Sequence, residues 1–459
     1  MKNKLKTLAV LLIAGLSLLL PASISANLSL FPESIIAYNH KIYQKSLDDG
    51  SYLGEEGILR IRPEIGRSLG LKVYIDQDYL DASKLIEEAK DHLSKALELM
   101  EEKGSSKKNP SRQIADLSLK HNKKIAHARK SLLSYRSGIS METDNRLDKL
   151  RSMTLMEQLL AESLKKTFNL RDALADFYNR CHSIESKSLD PINIDNIHFV
   201  NYVFREFMEK ASPEAKQQFD LDRITFKDHD NSDQRWKKIA IKDGFLYTDL
   251  LENILKEHRD DCFQFDPLIF LALMKQESKF QANAVSYVGA VGLTQIMPQT
   301  GTALGLKQIF FPDYFKKAGL FLVKGRRMRK KAENLLYEIT KENMYQVAYK
   351  AWTLRQKSIV LRKKGLKLFA SYKKEVLAKG KDDRLDPLKA IKSGLKYFIE
   401  MMKRQKGDIS LALASYNAGP HRVKQYLGIP PFLETISFRN HVLKYYKGYL
   451  QKKRALPNS

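Results

Sequence analysis

Residues 266–301 read DPLIFLALMKQESKFQANAVSYVGAVGLTQIMPQTG, and this stretch decides the fold of the second half of the chain. Asp266 is placed to cap a helix, and Pro267 suits the first helical position. Phe270, Leu273, Met274, Glu277 and Phe280 follow at three- and four-residue spacing, which puts them on one face. Glu277 therefore falls on an apolar face, in the last turn of that helix. Desolvation and the negative end of the helix dipole both disfavour its charged form. A carboxyl so placed keeps a proton near neutral pH, as a general acid must. The bland reading of the same residue is a helix-end cap, or a pair with Lys275 or Lys279. Next, Gly289, Gly292, Gly301 and Pro298 make a tight loop. Ser286 and Gln295 are its hydrogen-bonding groups, while Val291, Leu293, Ile296 and Met297 are apolar. A glycine-rich wall with few polar groups lets a chain approach a neutral ligand closely.

Four separated blocks carry a resemblance. They are QES at 276–278, SYVGAVGLTQIMP at 286–298, ASYNAGPHRV at 414–423 and PFLET at 431–435. In order, spacing and identity they resemble the catalytic domain of the soluble lytic transglycosylases. The resemblance runs from about Trp236 to Tyr449, and none is read before it. It implies a lysozyme-like, mostly helical fold that cleaves the glycan of peptidoglycan, with Glu277 as the catalytic acid. It also implies that Ser286, Gln295, Met297, Tyr416 and Asn417 line the sugar subsites, with Tyr416 orienting Glu277. Glu434 matches an acid near the cleft floor, for which a structural salt bridge is the alternative. Three residues depart from the family pattern: Thr294, His421 and Phe438.

The resemblance also implies the chemistry. Glycoside cleavage commonly takes two carboxylates, yet residues 277–301 hold a single acid, Glu277. In the family one Glu protonates the oxygen between N-acetylmuramic acid and N-acetylglucosamine. It then takes the proton of the sugar's own C6 hydroxyl, and a 1,6-anhydro ring forms without water. The alternatives are a lysozyme-type hydrolase of the same fold and a catalytically idle wall-binding or scaffold protein.

The 459 residues allow two or more domains, and 43% hydrophobic content allows real cores. Residues 1–26 read as a signal peptide: Lys2, Lys4 and Lys6, an apolar run from Leu8 to Leu20, then small residues ending at Ala26. An exported protein of the periplasm or cell envelope is expected. Without those lysines the formal charge falls from +26 to +23, which suits an anionic partner. Peptidoglycan glycan strands and an anionic membrane surface fit; nucleic acid does not, because export removes it and no motif for it is visible. Cys181 and Cys262 are the two cysteines, and their pairing is left open. No cofactor and no metal are expected, since the histidines are scattered without HExxH.

The fold class expected is mainly α. A helical N-terminal region at 27–235, of unknown role, precedes a lysozyme-like transglycosylase domain at 236–459. Residues 27–76 read as a loosely structured lead-in. From Asp78, long helices with short breaks suggest a hairpin or bundle. Within the second domain an insertion spans about 307–382. It holds 21 Lys and Arg against 6 Asp and Glu, and its Tyr, Phe and Leu content points to helices packed on the domain. A basic arm that grips wall or membrane is one reading of it; a solvated helical pair is the other. Tyr416 and Asn417 fall in the last turn of a helix that stops at Gly419-Pro420.

Overall fold

The computed structural model describes residues 30–101, 109–167, 169–182, 191–213, 216, 234–257 and 266–456. The expected signal peptide, Cys262 and residues 217–233, which precede the expected domain boundary at 235, lie outside them. Among the described residues the chain forms 17 α-helices and no sheet, so the fold is mainly α. The first seven are α1 (Leu30–Asp49), α2 (Pro63–Ser68), α3 (Gln77–Glu101), α4 (Ser111–Ser137), α5 (Lys149–Lys166), α6 (Leu170–His182) and α7 (Ile197–Lys210). The next five are α8 (Arg235–Lys242), α9 (Thr248–Glu257), α10 (Pro267–Ser278), α11 (Pro298–Ala303) and α12 (Asp313–Leu335). The last five are α13 (Met344–Lys379), α14 (Pro387–Arg404), α15 (Ile409–Ala418), α16 (Pro420–Tyr426) and α17 (Leu433–Ala455). Residues 30–74, expected as an irregular lead-in, instead begin with the 20-residue helix α1, whose Phe31 and Ile35 are buried.

Two compact units form, and neither is a continuous piece of chain. The first takes residues 1–74, 140–280 and 391–459; the second takes 75–139 and 281–390. In the first unit, Phe31 and Ile35 of α1 join Leu159, Leu174, Phe177, Phe199 and Val203 in one core that also takes Ala414, Val423 and Ile436. Phe31 stacks on Phe207 with ring centroids 4.8 Å apart. In the same unit α10 lies along α17. Its residues Leu268 to Met274 are all fully buried, so α10 is enclosed on every side rather than on one face. Lys275 leaves this apolar body to reach Asp243 at 2.7 Å, and the Tyr449 hydroxyl donates to the same carboxylate.

The second unit is built on two helical hairpins, α3–α4 and α12–α13. The expected insertion is the second of these, and it folds as a packed helical pair. Ala96, Met100, Ile114 and Ala115 of the first hairpin share one core with Ala332, Leu335, Ala348 and Ala351 of the second. Alanines at these positions bring the helix axes close. The Asn122 amide donates to the carbonyls of Leu336 and Ile339, which the chain leaves open where α12 ends. A second core in this unit gathers Val285, Val291, Phe315, Phe369 and Tyr372.

Candidate active site

Helix α10 begins as the sequence predicts. Asp266 accepts a hydrogen bond from the Leu268 amide at 3.0 Å, and Pro267 occupies the first turn. It ends on two consecutive left-handed residues, Lys279 (φ 54°) and Phe280 (φ 66°). Neither is glycine, so the turn stores backbone strain directly after Glu277. Glu277 is half-buried in the final turn of the helix. Its carboxyl is held well above the ordinary carboxylate range, first by desolvation and then by the negative charge of Glu434. Two acids 157 positions apart in sequence are thus brought within electrostatic reach.

The remaining groups of the first unit come from α15 and α17. Asp408 caps α15 by accepting from the Leu411 amide at 2.9 Å. At the other end of that helix, Tyr416 is only 8% exposed and lies among Tyr397, Phe398 and Phe438, with centroids 5.0, 6.4 and 6.4 Å away. Phe398 in turn stacks on Phe270 of α10, 6.2 Å away, which ties the tyrosine's surroundings to the helix of the acid. The Asn417 side-chain oxygen accepts from the Thr435 hydroxyl at 2.8 Å. Glu434 stands exposed in the first turn of α17, where its charge suits the helix dipole.

Ser286, Gln295 and Met297 belong to the second unit, within the loop 281–297. Two isolated antiparallel bridges, Val285 with Val291 and Val291 with Ile296, give that loop its shape. The Ser286 hydroxyl oxygen accepts from the amide of Ala290 at 2.9 Å. The Gln295 amide donates to the carbonyls of Ala284 at 3.1 Å and Gly292 at 2.8 Å, while its backbone is left-handed at φ 48°. Both polar side chains therefore brace the loop from inside. Met297 packs partly buried against the core that holds Phe315 and Tyr372.

The groups that clamp this loop were not anticipated. Arg384 is fully buried and forms a 2.7 Å ion pair with fully buried Asp382. Its guanidinium also donates to the Ile296 carbonyl at 3.0 Å and to the Tyr372 hydroxyl at 2.5 Å. A planar five-donor fork suits several acceptors at once. Gly292 packs so tightly on this residue that a Cβ there would sit 1.8 Å from the Arg384 carbonyl oxygen. A lone arginine at the end of a very basic insertion gives no sign of burial; only the preceding D-x-R spacing hints at it.

Of the three departures from the family pattern, Thr294 is buried and donates to the Ala390 carbonyl at 2.9 Å. Phe438 is buried with its ring parallel to Tyr416. His421 is exposed on α16. Among the described residues no cluster of His, Cys, Asp and Glu has the makings of a metal site, and no helix is long and apolar enough to cross a membrane. Cys181 is buried, and its thiol is pushed up to about 12 by that burial.

The family model described as the transglycosylase SLT domain matches residues 256–318 and 367–438. The break in the match falls inside the α12–α13 hairpin. Among solved structures, an inactive mutant of the lytic transglycosylase Slt from Pseudomonas aeruginosa matches at 16% identity and a TM-score of 0.28, over 97% of this chain and 75% of that one. The four sequence blocks, the enclosed helix that ends at Glu277 and the family match on either side of one hairpin lead to the same place: the second half of this chain carries a mainly α, lysozyme-like transglycosylase SLT domain.

Proposed function

We propose that this protein is a peptidoglycan lytic transglycosylase that cleaves the β-1,4 bond between N-acetylmuramic acid and N-acetylglucosamine, leaving a 1,6-anhydro end. The observation that carries this reading is the state of Glu277: burial and the Glu434 charge keep its carboxyl protonated at pH values where a surface carboxylate is ionised. In the first step Glu277 gives its proton to the glycosidic oxygen as the C1–O4 bond breaks. In the second, the resulting carboxylate takes the proton of the C6 hydroxyl, and O6 closes on C1. The acid is regenerated and no water enters. Tyr416, Asn417 and Glu434 are the sugar-contacting groups proposed for the first unit, and Ser286, Gln295 and Met297 those for the second. The periplasm or cell envelope is the compartment this substrate requires. The exposed lysines of α12 and α13 support a further role for that hairpin in holding anionic wall or membrane.

One observation favours a second reading. Glu434 acts on Glu277 electrostatically, and a pair of carboxylates is what a hydrolase of this fold uses. Mass spectrometry of digested sacculi decides between them. The transglycosylase releases products one water lighter than the reducing sugars of a hydrolase. Glu277→Gln is expected to lose turnover by about 10³-fold while staying folded. Ordinary activity in that variant would refute the assignment, and intact binding of sacculi without cleavage by the wild type would favour a scaffold.

A further inference from the structure

The loop that carries Ser286 and Gln295 has a twin. Residues 51–71 read SYLGEEGILRIRPEIGRSLGL, and residues 286–306 read SYVGAVGLTQIMPQTGTALGL. Ten of the 21 positions are identical at a constant offset of 235, and the same offset carries Pro32 onto Pro267. Further on, DNRLD at 144–148 answers DDRLD at 382–386. The geometry repeats with the letters. An antiparallel bridge joins Glu56 to Ile61 as Val291 joins Ile296. Arg60 is left-handed at φ 52°, as Gln295 is at 48°. Arg146 is buried against Asp144 at 2.6 Å and donates to the carbonyls of Gly54 and Ile61, both at 2.8 Å. Arg384 does the same with Asp382 and the carbonyls of Gly289 and Ile296. A Cβ on Gly57 would lie 1.9 Å from the Arg146 carbonyl oxygen, against 1.8 Å for Gly292 on Arg384.

The match continues beyond the loop. A long helical hairpin separates loop from arginine in both halves, α3–α4 in one and α12–α13 in the other. Helices α5 and α14 have 18 residues each. Ala173-Leu174-Ala175 on α6 answers Ala412-Leu413-Ala414 on α15 at an offset of 239. At that offset the Phe177–Phe199 stack answers Tyr416–Phe438. The Asn196 amide, at the position of Thr435, donates to the Asn179 oxygen at 3.0 Å, one residue out of register with Asn417, which accepts from the Thr435 hydroxyl. What has gone from the first copy is the chemistry. Ile42 stands where Glu277 does, and Phe177 stands where Tyr416 does.

Inside the first unit the copies meet through exchanged contacts. Arg171 of α6 forms a two-bonded pair with Asp408, at 3.0 and 2.7 Å. Asp172, its neighbour, accepts from Arg439 of α17 at 2.7 Å. Asn201 of α7 donates to the Ile429 carbonyl, and its counterpart Asn440 donates to the Ile192 carbonyl, both at 2.8 Å. Asn201 and its counterpart Asn440 thus each reach a carbonyl of the other copy, two residues out of register, since Ile192 answers Pro431, which gives the interface an approximate two-fold character. Both ion pairs are buried, and the bidentate geometry of Arg171 on Asp408 gives direction as well as energy.

We infer that residues 30–210 are a second copy of the transglycosylase fold that has lost its acid, and that this copy works as a built-in subunit: through Arg171 and Asp172 it positions the cap of α15 and the body of α17, which bear Tyr416, Asn417 and Glu434. The duplication stands on sequence and geometry alone; its benefit to catalysis rests on the function proposed above.

The test uses the full chain. In Arg171→Met, hydrogen exchange of amides 409–417 is expected to speed up about tenfold, while those of α10 do not change. On purified sacculi kcat falls about tenfold with KM held, well below the melting temperature, and Arg171→Lys recovers most of it. Asn201→Ala, a milder break of the same interface, gives a smaller change in the same direction and replaces Arg171→Met should that variant fail to fold. Ile42→Ala leaves turnover unchanged. Unaltered exchange at 409–417 in a folded variant overturns the positioning role, and lost turnover in Ile42→Ala overturns the idle first copy. Exchange is read without activity, so a failed assignment of Glu277 leaves this result interpretable.

Discussion

Glu277 and Ile42 occupy one place in two halves of the same chain, on the helix that leads into the same glycine-rich loop: Glu277 in the last turn of α10, Ile42 within α1, which runs on to Asp49. Around them the glycines, the loop bridge, the buried Asp-x-Arg and the stacked ring pair are kept in both halves. The groups that bear protons, Glu277 and the Tyr416 hydroxyl, are present in one half only. The difference teaches that this fold is held by backbone geometry and a buried ion pair, neither of which needs the acid. A half that cleaves and a half that only packs can share nearly all of their structural residues.

The sharpest break of this comparison is at the acid itself. Glu277→Gln is expected to lose about 10³-fold in turnover, roughly 4 kcal/mol on the barrier, while Ile42→Ala loses none; release of anhydro-sugars from sacculi measures both. Next come the two arginines. Arg384→Met and Arg146→Met each strand a buried aspartate, and each is expected to lose about 3–5 kcal/mol of stability in denaturant unfolding. At temperatures where both stay folded, only Arg384→Met should lower activity strongly, because its loop carries Ser286 and Gln295. Smaller losses follow at the glycines. Gly292→Ala and Gly57→Ala each drive a methyl into a backbone carbonyl at positive φ, for about 2 kcal/mol apiece by thermal unfolding. Equal losses at the two sites sharpen the equivalence of the loops; a loss at one alone breaks it.

The smallest effect is one of pH. The native carboxyl of Glu277 lies above its unfolded value, so the folded state prefers the protonated form. Stability is therefore full below about pH 4.5, the ordinary value, and declines as pH rises through the raised native one. Glu277→Gln does not ionise and escapes that decline. Its melting temperature should match the wild type at low pH and exceed it increasingly toward neutrality. The same raised value sets activity, which falls as pH climbs through it.

Much of the second half could be read from residues alone. The Asp266 cap, the helix that ends at Glu277 and the helix that stops at Gly419-Pro420 each rest on local rules, and the structure has them all. Arg384 could not be read, because burial of one charge just beyond an insertion that holds 21 others is decided by tertiary contacts. Ser286 and Gln295 have the polarity expected of sugar contacts, but their bonds to loop carbonyls and amides depend on the fold of 281–297. The first half stayed unread for a different reason. A family is recognised by its chemistry, and the residues that survive in 51–71 are four glycines, a proline, a Ser-Tyr pair and three aliphatic groups, none of which bears the reaction.

The shared core of the two hairpins has a practical outcome for anyone cutting this gene. A fragment starting at residue 236 keeps every catalytic candidate yet discards Ala96, Met100, Ile114 and Ala115, so that Ala332, Leu335, Ala348 and Ala351 are bared to solvent. Such a fragment should clump in the test tube, and covering that stripe with polar substitutions is the route to a soluble miniature enzyme.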